Sequence, residues 1–467
     1  MILLQGGTVV SATEHYPADV LIDGEKIAGV FRRQEISATQ VADAQIIDVT
    51  GKLLFPGFID AHTHFDLHVA GTVTADDFAS GSRAAVAGGT TCVIDMGTQY
   101  KGETLRQGME NWLEKAKNGV SCDYGIHMSI TDWNEEASRQ CRDMMDAGVT
   151  TFKIYMTYDL QLTDREIFEI LCRLKEVGGI TGCHCENAGV IDALRAAYSS
   201  DERIRKVSSH YLTRPPQAEA EAIGRYLYIA EIADCAVIDV HLTCEAGLEE
   251  IRAARKRGVR VYAETCPQYL TFDDSCYELA GFEGAKYVCA PPLRKKSDQE
   301  ALWAALATGE IQTVCTDHCP FTLEQKRLGI DDFKKIPGGM PGVETRGEIM
   351  YTEGVVKGRI TAERYCAALS ENVARLYGLY PQKGVIAKDS DADIVVLDPA
   401  RKKTITSAAQ VSRCDYTPYE GKEITGVVEK VFLRGTLCAE EGRVVKENTG
   451  RFVRRHGSEG VSAKPSF

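Results

Sequence analysis

The chain has no excess of positive charge, no long apolar run and no phosphate-binding glycine motif. Its 54 lysines and arginines are outnumbered by 67 acidic residues, which gives a formal net charge of -13. Nucleic acid and anionic membrane surfaces are therefore not expected as partners. No segment approaches the length of a membrane span, and the first residues lack the basic stretch and apolar core of a signal peptide. Because no G-x-G-x-x-G motif follows an early strand, a dinucleotide-binding sheet is disfavoured.

The 16 cysteines do not form the closely spaced framework of a disulfide-rich protein. They are scattered through apolar and strand-like segments, which is typical of reduced thiols, so we expect a cytoplasmic protein. One cluster, Cys183-His184-Cys185, combines two metal-ligand types. On a strand its cysteines face away from the histidine, so we expect small buried side chains here and not a shared zinc site.

The middle of the chain alternates short apolar, β-branched runs with helical patterns. The runs lie at 58–62, 90–96, 124–130, 150–155, 180–185, 237–242, 259–263 and 311–316. Two of the helical patterns open with a capping box, Thr163 to Glu166 and Ser297 to Glu300. Eight strands alternating with helices over about 260 residues predict an α/β fold, a TIM (β/α)8 barrel, with an open doubly wound sheet as the alternative.

Both ends of the chain are instead rich in short strand patterns. The turn signal Asp23-Gly24 separates two of them near the N-terminus, and similar runs return near the C-terminus. We therefore expect a small β-sandwich domain built from both termini, residues 1–54 and 377–467. The catalytic barrel is predicted at 55–376.

His62 and His64 end the first run of the predicted barrel. Residues i and i+2 of a strand face the same side, with Cα atoms about 6.5–7 Å apart, so two imidazoles can bind one metal ion. Taken alone, the pair is equally compatible with two hydrogen-bonded rings.

Polar side chains interrupt the ends of several other runs. Active sites of such barrels lie at the carboxyl ends of the strands, and four of the 10 histidines fall there. With one lysine and one aspartate they form the set of candidate metal ligands: His62, His64, Lys153, His184, His241 and Asp317.

Lys153 stands inside the fourth run, where its neighbours predict a buried strand. Burial of an ammonium is costly and favours the neutral amine, which can react with carbon dioxide to give a carbamate. A carbamate is an anion able to bridge two metal ions, whereas an ammonium would be repelled by them. The alternative is a lysine that reaches the barrel rim or pairs with an acid.

Two metal ions linked by such a carbamate would hold a bridging hydroxide that is nucleophilic near neutral pH. Asp317 is the predicted proton shuttle, which accepts the hydroxide proton during attack on a carbonyl and delivers it to the leaving nitrogen. Tyr158, just past the fourth run, is the predicted donor to the oxyanion, with a packed aromatic ring as the alternative.

Several strings of the sequence resemble the amidohydrolase superfamily, and more narrowly its hydantoinase/dihydropyrimidinase family. The metal motif is FPGFIDAHTH at 55–64 and the C-terminal signature is GVIAKDSDADIVVLD at 384–398. The narrower resemblance is carried by GTVTADDF at 71–78, FKIYMTY at 152–158, HLTC at 241–244, YVCAPPLR at 287–294 and TDH at 316–318. The matches extend over nearly the whole chain.

The resemblance implies a TIM barrel beside a composite β-sandwich, two zinc ions and hydrolysis of a cyclic amide. One ion would be held by residues matching His62, His64, Lys153 and Asp317, and the other by those matching Lys153, His184 and His241. Lys153 would be an N6-carboxylysine formed with carbon dioxide. Members of the family are usually cytoplasmic homotetramers, so we expect a homo-oligomer, a tetramer or a dimer.

The same resemblance implies how a substrate would bind. The tyrosine matching Tyr158 helps to bind the substrate, and backbone groups at the positions of Ala290 and Gly338 bind the imide edge of the ring. This chain departs from the family at both positions, since the family usually has serine at the position of Ala290 and asparagine at the position of Gly338. Ring binding is unaffected if the contacts use the backbone, and the preferred ring differs if they use side chains.

The predicted function is metal-dependent opening of a small-molecule cyclic ureide, of hydantoin or dihydropyrimidine type, to an N-carbamoyl amino acid. An allantoinase and a dihydroorotase-like amidase remain alternatives. The latter needs a cationic clamp, and Arg294 lies in the right segment, although an ion pair on the surface or at a sheet end is the favoured role for that residue. A non-enzymatic relative that serves as a scaffold would be expected to have lost metal ligands. A mononuclear deaminase would have no use for a bridging Lys153.

Overall fold

The computed structural model describes residues 1–32, 36–37, 41–117, 119–199 and 202–458. Strands within these residues form two large sheets and one short hairpin. In chain order they are β1 Ile2–Val10, β2 His15–Asp23, β3 Lys26–Arg32, β4 Gln45–Asp48, β5 Leu53–Pro56, β6 Phe58–Thr63, β7 His68–Val69, β8 Thr72–Val73, β9 Thr90–Thr98, β10 Asp123–Ser129, β11 Thr151–Tyr155, β12 Ile180–His184, β13 Val237–Asp239, β14 Val261–Thr265, β15 Thr313–Val314, β16 Ile394–Thr404, β17 Glu423–Leu433, β18 Thr436–Glu440 and β19 Arg443–Val444.

The α-helices lie mostly between the strands of the middle region. In chain order they are α1 Phe78–Ala87, α2 Leu105–Ala116, α3 Glu135–Asp146, α4 Asp164–Val177, α5 Ala188–Ala197, α6 Ser209–Leu212, α7 Pro216–Ala233, α8 Glu245–Arg257, α9 Pro267–Thr271, α10 Lys296–Thr308, α11 Leu323–Lys326, α12 Arg346–Met350, α13 Ala362–Cys366 and α14 Asn372–Leu376. None of the helices in the described ranges combines the length and the apolar character needed to cross a membrane.

The middle strands form a parallel sheet in the order β6-β9-β10-β11-β12-β13-β14-β15. The chain then closes this sheet, because the His64 N–H donates to the His318 carbonyl (2.9 Å) and the His318 N–H donates to the His62 carbonyl (3.3 Å). The predicted TIM barrel is thereby confirmed. Closure also brings the turn that follows β15 against the end of β6, where two of the candidate ligands lie.

The sequences of the barrel strands are continuous apolar runs because helices or other strands cover both faces of each strand. β9 and β11, for example, are buried at every position. Below the site, the inside of the barrel is filled by a cluster of apolar side chains. It includes Ile59, Ala61, Cys92, Ile94, Ile180, Ile238, Tyr262, Cys315 and Tyr377.

One predicted helix start is confirmed and the other is wrong. Thr163 caps α4, with the Glu166 side chain returning to the Thr163 backbone. Helix α10 begins two residues before the expected position, at Lys296, and the Asp298 carboxylate accepts from the Lys295 N–H (3.2 Å). The reason is that Asp298 also accepts from the Glu245 N–H of the neighbouring helix (3.0 Å), which fixes it at the helix start.

Strands from both termini form the second sheet, in the order β19-β18-β17-β16-β5-β1-β2-β3 with β4 paired to β1. Parallel pairing of β1 with β5 and antiparallel pairing of β5 with β16 join the two halves. Their side chains share a separate core that includes Leu4, Val20, Ile27, Leu54, Ile394, Val396 and Phe432. The predicted second β-domain from both termini is confirmed.

The chain passes from this sheet to the barrel at Gly57, between β5 and β6. Near the C-terminus it returns to the barrel, where the Tyr124 N–H donates to the Arg451 carbonyl (3.0 Å) and the Arg455 N–H donates to the Gly148 carbonyl (3.0 Å). The predicted domain limits, 1–54 with 377–467 and 55–376, remain a prediction, and their last nine residues lie outside the described ranges.

Candidate metal centre

Five of the six predicted metal ligands lie at, near or just past the carboxyl ends of barrel strands, and Lys153 is the third of the five residues of β11. His62 is in β6 and His64 follows it, while Lys153 and His184 are in β11 and β12. His241 and Asp317 follow β13 and β15. Because all these strands are parallel, their carboxyl ends meet at one end of the barrel, and the structure brings the ligands together there.

His62, His64 and Asp317 form one group. The Asp317 Oδ1 atom is 3.0 Å from His64 Nε2 and 3.4 Å from His62 Nε2. One donor atom from each of the three residues lies within 4.8 Å of the others, a spacing that could hold a metal ion. Two imidazoles and a carboxylate are ligands that zinc accepts.

His184 and His241 lie beside this group. Their ring centroids are 4.5 Å apart, and the His241 ring is 5.3 Å from the His62 ring. All three rings are almost completely buried. The histidines therefore form a continuous row across the end of the barrel.

Lys153 is the remaining candidate ligand and lies beneath the row of histidines. Its side chain is 2% exposed, and its Nζ has no hydrogen-bond partner within the described residues. Burial lowers the pKa of this amine from its usual range. A buried amine without a partner is expensive, so the observation fits a side chain that is completed by a group absent from the polypeptide.

Two carboxylates that sequence reasoning missed orient the ligand rings. The His62 Nδ1–H donates to Glu264 Oε1 (2.7 Å) and the His184 Nε2–H donates to Glu186 Oε2 (2.7 Å). These bonds leave His62 Nε2 and His184 Nδ1 for a metal ion. Glu264 is the next-to-last residue of β14 and lies just beyond the run recognised at 259–263, so a polar residue near that strand end was the available signal.

The pKa values of the two carboxylates are shifted in opposite directions. Burial raises the pKa of Glu264 to about 7. Burial acts in the same direction on Glu186, but the Arg214 guanidinium and the His184 ring outweigh it and hold its pKa at about 2. Glu186 is therefore a fixed anion beside one ligand.

Three site residues have backbone conformations that are uncommon for non-glycine residues. Tyr158, His241 and Asp317 have φ angles of 65°, 45° and 52°. Each follows the end of a barrel strand and turns the chain so that its side chain returns over the barrel. Such left-handed residues cost about 1–3 kcal/mol each and cluster at functional sites.

His318 holds the turn that carries Asp317, and sequence reasoning gave it no role. Its Nδ1 accepts from the Gly342 and Val343 N–H groups (3.0 and 3.2 Å), so its Nε2–H donates to Asp76 Oδ2 (3.1 Å). The ring is thus held from both sides, which fixes the direction in which Asp317 points.

Tyr158 is beside the row of histidines. Its ring centroid is 5.1 Å from that of His184, and the Arg214 guanidinium lies 5.4 Å from the ring. The residue is 39% exposed. A tyrosine at the rim with one open face can approach a bound ligand, which a fully packed ring could not do.

Ala290 and Gly338 lie next to each other on separate loops. A Cβ atom built on Gly338 would be 4.0 Å from the Ala290 backbone nitrogen. Arg294, the candidate carboxylate clamp, is instead paired with buried Glu219 (2.7 Å) and donates to Thr243 Oγ1 (2.9 Å).

Comparison with known proteins identifies the family of this chain. The model of the amidohydrolase family matches residues 53–438. A D-hydantoinase of Geobacillus stearothermophilus is 42% identical over 458 residues, covering 97% of this chain and 96% of that protein. A D-phenylhydantoinase of Escherichia coli strain SE11 is 38% identical, covering 97% of this chain and 98% of its own. The crystal structure of dihydropyrimidinase from Brevibacillus agri NCHU1002 superposes with a TM-score of 0.95 at 41% identity, over 98% of this chain and 99% of that one.

The chain belongs to the amidohydrolase family, whose members depend on metal ions. Within it the chain belongs with the hydantoinases and dihydropyrimidinases, so it is an enzyme of the cyclic amidohydrolase class. The predicted family and enzyme class are confirmed.

Proposed function

We propose that this enzyme opens a five- or six-membered cyclic ureide, of hydantoin or dihydropyrimidine type, to an N-carbamoyl amino acid. The names of its relatives support the ring type. The observation that carries the proposal is the unpartnered, buried Lys153 amine beneath four histidines and an aspartate.

The ligand set fits two divalent metal ions, with zinc as the expected metal. One would be held by His62, His64, Lys153 and Asp317, and the other by Lys153, His184 and His241. When bound, such ions lower the pKa of a water molecule and polarise a carbonyl group.

Lys153 would serve both sites as a carbamate. Its neutral amine attacks carbon dioxide, a C–N bond forms and one proton leaves, so that a neutral group becomes an anion with two oxygens. The low pKa of the buried amine favours the reactive form. No partner has to be displaced, because Nζ has none among the described residues.

Asp317 would move the proton during hydrolysis. Its carboxylate accepts a proton from the attacking water and passes it to the ring nitrogen as the C–N bond breaks. Burial acts to raise the pKa of Asp317, but the His62 and His64 rings outweigh it and lower that pKa, so the carboxylate is ready to accept. Tyr158 would donate its hydroxyl hydrogen to the oxyanion of the tetrahedral intermediate.

Backbone groups of Ala290 and Gly338 would bind the imide edge of the ring. The absence of serine and asparagine at these positions is compatible with that role, since every residue type except proline offers the same backbone donor and acceptor. Gly338 is exposed and Ala290 is partly exposed, so both are open to a ligand.

A dihydroorotase-like activity is less well supported. Its substrate carries a carboxylate, and Arg294 is neutralised by Glu219 while Arg214 is paired with Glu186. Allantoin does not carry that charge and stays among the candidate rings. The scaffold alternative is disfavoured because all six ligand positions are filled.

Oligomeric state and location are part of the proposal. We expect a homo-oligomer, a tetramer or a dimer, which light scattering after gel filtration measures directly. All 16 cysteines are free thiols in the structure, which supports a reducing, cytoplasmic environment.

The test is hydrolysis by zinc-loaded protein of hydantoin, phenylhydantoin, dihydrouracil, allantoin and dihydroorotate. We expect N-carbamoyl products from at least one of the first three, identified by mass spectrometry. Failure to open any hydantoin or dihydropyrimidine ring, in protein with two metal ions per chain, would refute the proposal.

A further inference from the structure

Lys326, at the end of α11, is a buried cation that no carboxylate neutralises. Its side chain is completely buried, and within the described ranges it forms no salt bridge. Burial lowers its pKa to about 8, so it is still an ammonium at neutral pH. A charge kept at such a cost requires an explanation.

The ammonium uses its three N–H groups on three backbone carbonyls. They are those of Val288 (2.9 Å), Pro337 (2.7 Å) and Gly339 (2.8 Å). Lys326 thereby connects two segments, the 288–291 loop and the 336–340 loop, and these carry Ala290 and Gly338. The Gly339 N–H also donates to the Val288 carbonyl (2.9 Å), which fixes the loops against each other.

His210, in α6, has a related contact. Its Nε2 lies 2.7 Å from the Cys289 carbonyl oxygen, and because a carbonyl only accepts, this nitrogen carries the hydrogen. Burial lowers the pKa of His210 to about 3, so the ring is neutral. It is one of the histidines outside the row of candidate metal ligands.

The Lys326 bond to the Pro337 carbonyl and the His210 bond to the Cys289 carbonyl each reach a peptide unit whose N–H belongs to a candidate ring-binding residue. The Pro337 carbonyl shares its peptide with the Gly338 N–H, and the Cys289 carbonyl shares its peptide with the Ala290 N–H. Neither is among the cis peptide bonds of the described chain. In a planar trans peptide the C=O and N–H point in opposite directions, so each N–H points away from the buried donor.

Neither N–H has a hydrogen-bond partner among the residues that the structure describes. A donor that binds the carbonyl also polarises the peptide, which makes its N–H a stronger donor. Both effects, fixed direction and strengthened donation, are what recognition of a ring carbonyl requires.

We infer that Lys326 and His210 are positioning residues for ring recognition, each holding the carbonyl end of the peptide whose N–H meets the substrate. The inference rests on the proposed function, because it deepens the role given there to Ala290 and Gly338. In this role the two buried side chains strengthen substrate binding, although they contact neither the ring nor a metal ion.

The chain provides a matched control in the same loop. The Tyr269 hydroxyl donates to the Pro291 carbonyl (2.8 Å), which is also buried. That peptide continues into Pro292, which has no N–H and cannot donate to a ligand. Tyr269→Phe therefore removes an equivalent buried bond without affecting a ring-binding donor.

The experiment measures KM, kcat and zinc content for the ring that the wild type opens best. We expect Lys326→Met and His210→Leu to raise KM about tenfold, the value of one hydrogen bond of ordinary strength. Zinc content should stay at the wild-type level, and kcat should fall much less than KM rises. His210→Gln, which restores a side-chain N–H donor, should recover part of the affinity, and Tyr269→Phe should keep KM within about twofold.

The inference is overturned if both variants match Tyr269→Phe in KM, or if they lose zinc and kcat in proportion to affinity. It is overturned for His210 if glutamine is no better than leucine. If Lys326→Met does not fold, the KM values of His210→Leu, His210→Gln and Tyr269→Phe test the inference. Turnover by the wild type tests the proposed function separately, so failure of one is distinguishable from failure of the other.

Discussion

A lysine amine buried without a partner either carries an added group or destabilises its protein. Lys153 has nearly every atom out of contact with solvent, yet the surrounding side chains are potential metal ligands, not counter-ions in contact with it. In the proposed mechanism, carboxylation resolves the conflict because it converts an unsatisfied buried amine into an anionic ligand that both proposed metal positions can share.

Lys153→Ala should therefore abolish both catalysis and loading with two metal ions. Metal analysis and the hydrolysis assay, performed on the same preparation, check the two losses together. Retention of two ions per chain by the alanine variant would contradict the proposed bridge.

Asp317→Asn should separate metal binding from proton transfer. The amide keeps the shape and one oxygen ligand but cannot accept a proton, so kcat should fall by at least about 100-fold. Much of the metal should remain, which distinguishes this variant from Lys153→Ala. An unchanged kcat would remove Asp317 from the role of proton shuttle.

Single residues were predictable where a polar side chain ended an apolar run. Five of the six candidate ligands satisfied that condition, since Lys153 stands inside its run, and the structure places all six together at one end of the barrel. Glu264 and His318 were not predicted, because their partners are distant in sequence and meet them only in the closed barrel. Glu264, for example, contacts His62, which is far away in sequence. Glu186 lies two residues from His184, but its pairing with Arg214 has no local signal.

At the scale of elements, two adjacent glycines of the 336–340 loop have opposite requirements. A Cβ on Gly338 meets nothing closer than 4.0 Å. Gly339 has a φ of 151°, and a Cβ there would lie 2.2 Å from the Cys319 carbonyl oxygen. The loop needs glycine at the second position and not at the first.

Gly338→Ala should leave the free energy of unfolding within about 0.5 kcal/mol of the wild type. Gly339→Ala should lower it by about 2 kcal/mol or more, since a backbone oxygen cannot move aside easily. Urea unfolding followed by circular dichroism measures both. Equal stability of the two variants would show that the loop is not held as described.

Element positions were largely predictable from composition. The run at 180–185, for example, appears as Ile180–His184, because a strand covered on both faces needs uninterrupted apolar residues. The start of α10 and the short length of β15 were not predictable, since both depend on contacts with other elements. Closure of the barrel by His318 has no local signal at all.

At the scale of the whole molecule, one buried and one partly buried carboxylate connect the two predicted domains. Asp76 accepts from the Ser412 hydroxyl (2.5 Å) and the Arg413 N–H (2.9 Å), and Glu344 accepts from the Val411 N–H (2.9 Å). Asp76 also binds His318, so the same carboxylate supports the turn that carries Asp317.

The stabilisation from Asp76 should depend on pH. Burial acts to raise its pKa, but its contacts with His318, Arg413 and Ser412 outweigh this and hold the pKa at about 2, below the ordinary 3.8. A depressed pKa stabilises the fold above pH 4, and this contribution is lost as pH falls towards 2.

Asp76→Asn should consequently lower the free energy of unfolding at pH 7 by about 2 kcal/mol. The difference from the wild type should shrink as the pH falls from 4 to 2. Asp143→Asn, which removes an exposed pair with Arg106, is the control and should change stability by less than about 1 kcal/mol. A deficit for Asp76→Asn that stays constant with pH would contradict the assignment.

The most direct test of the metal centre is a crystal structure of the active, zinc-loaded enzyme at a resolution that shows individual side-chain atoms. We predict that density at Lys153 continues beyond Nζ into a planar carboxyl group whose two oxygens each contact a metal ion. Density that ends at a bare nitrogen, with both ions present and the crystals active, would contradict the account.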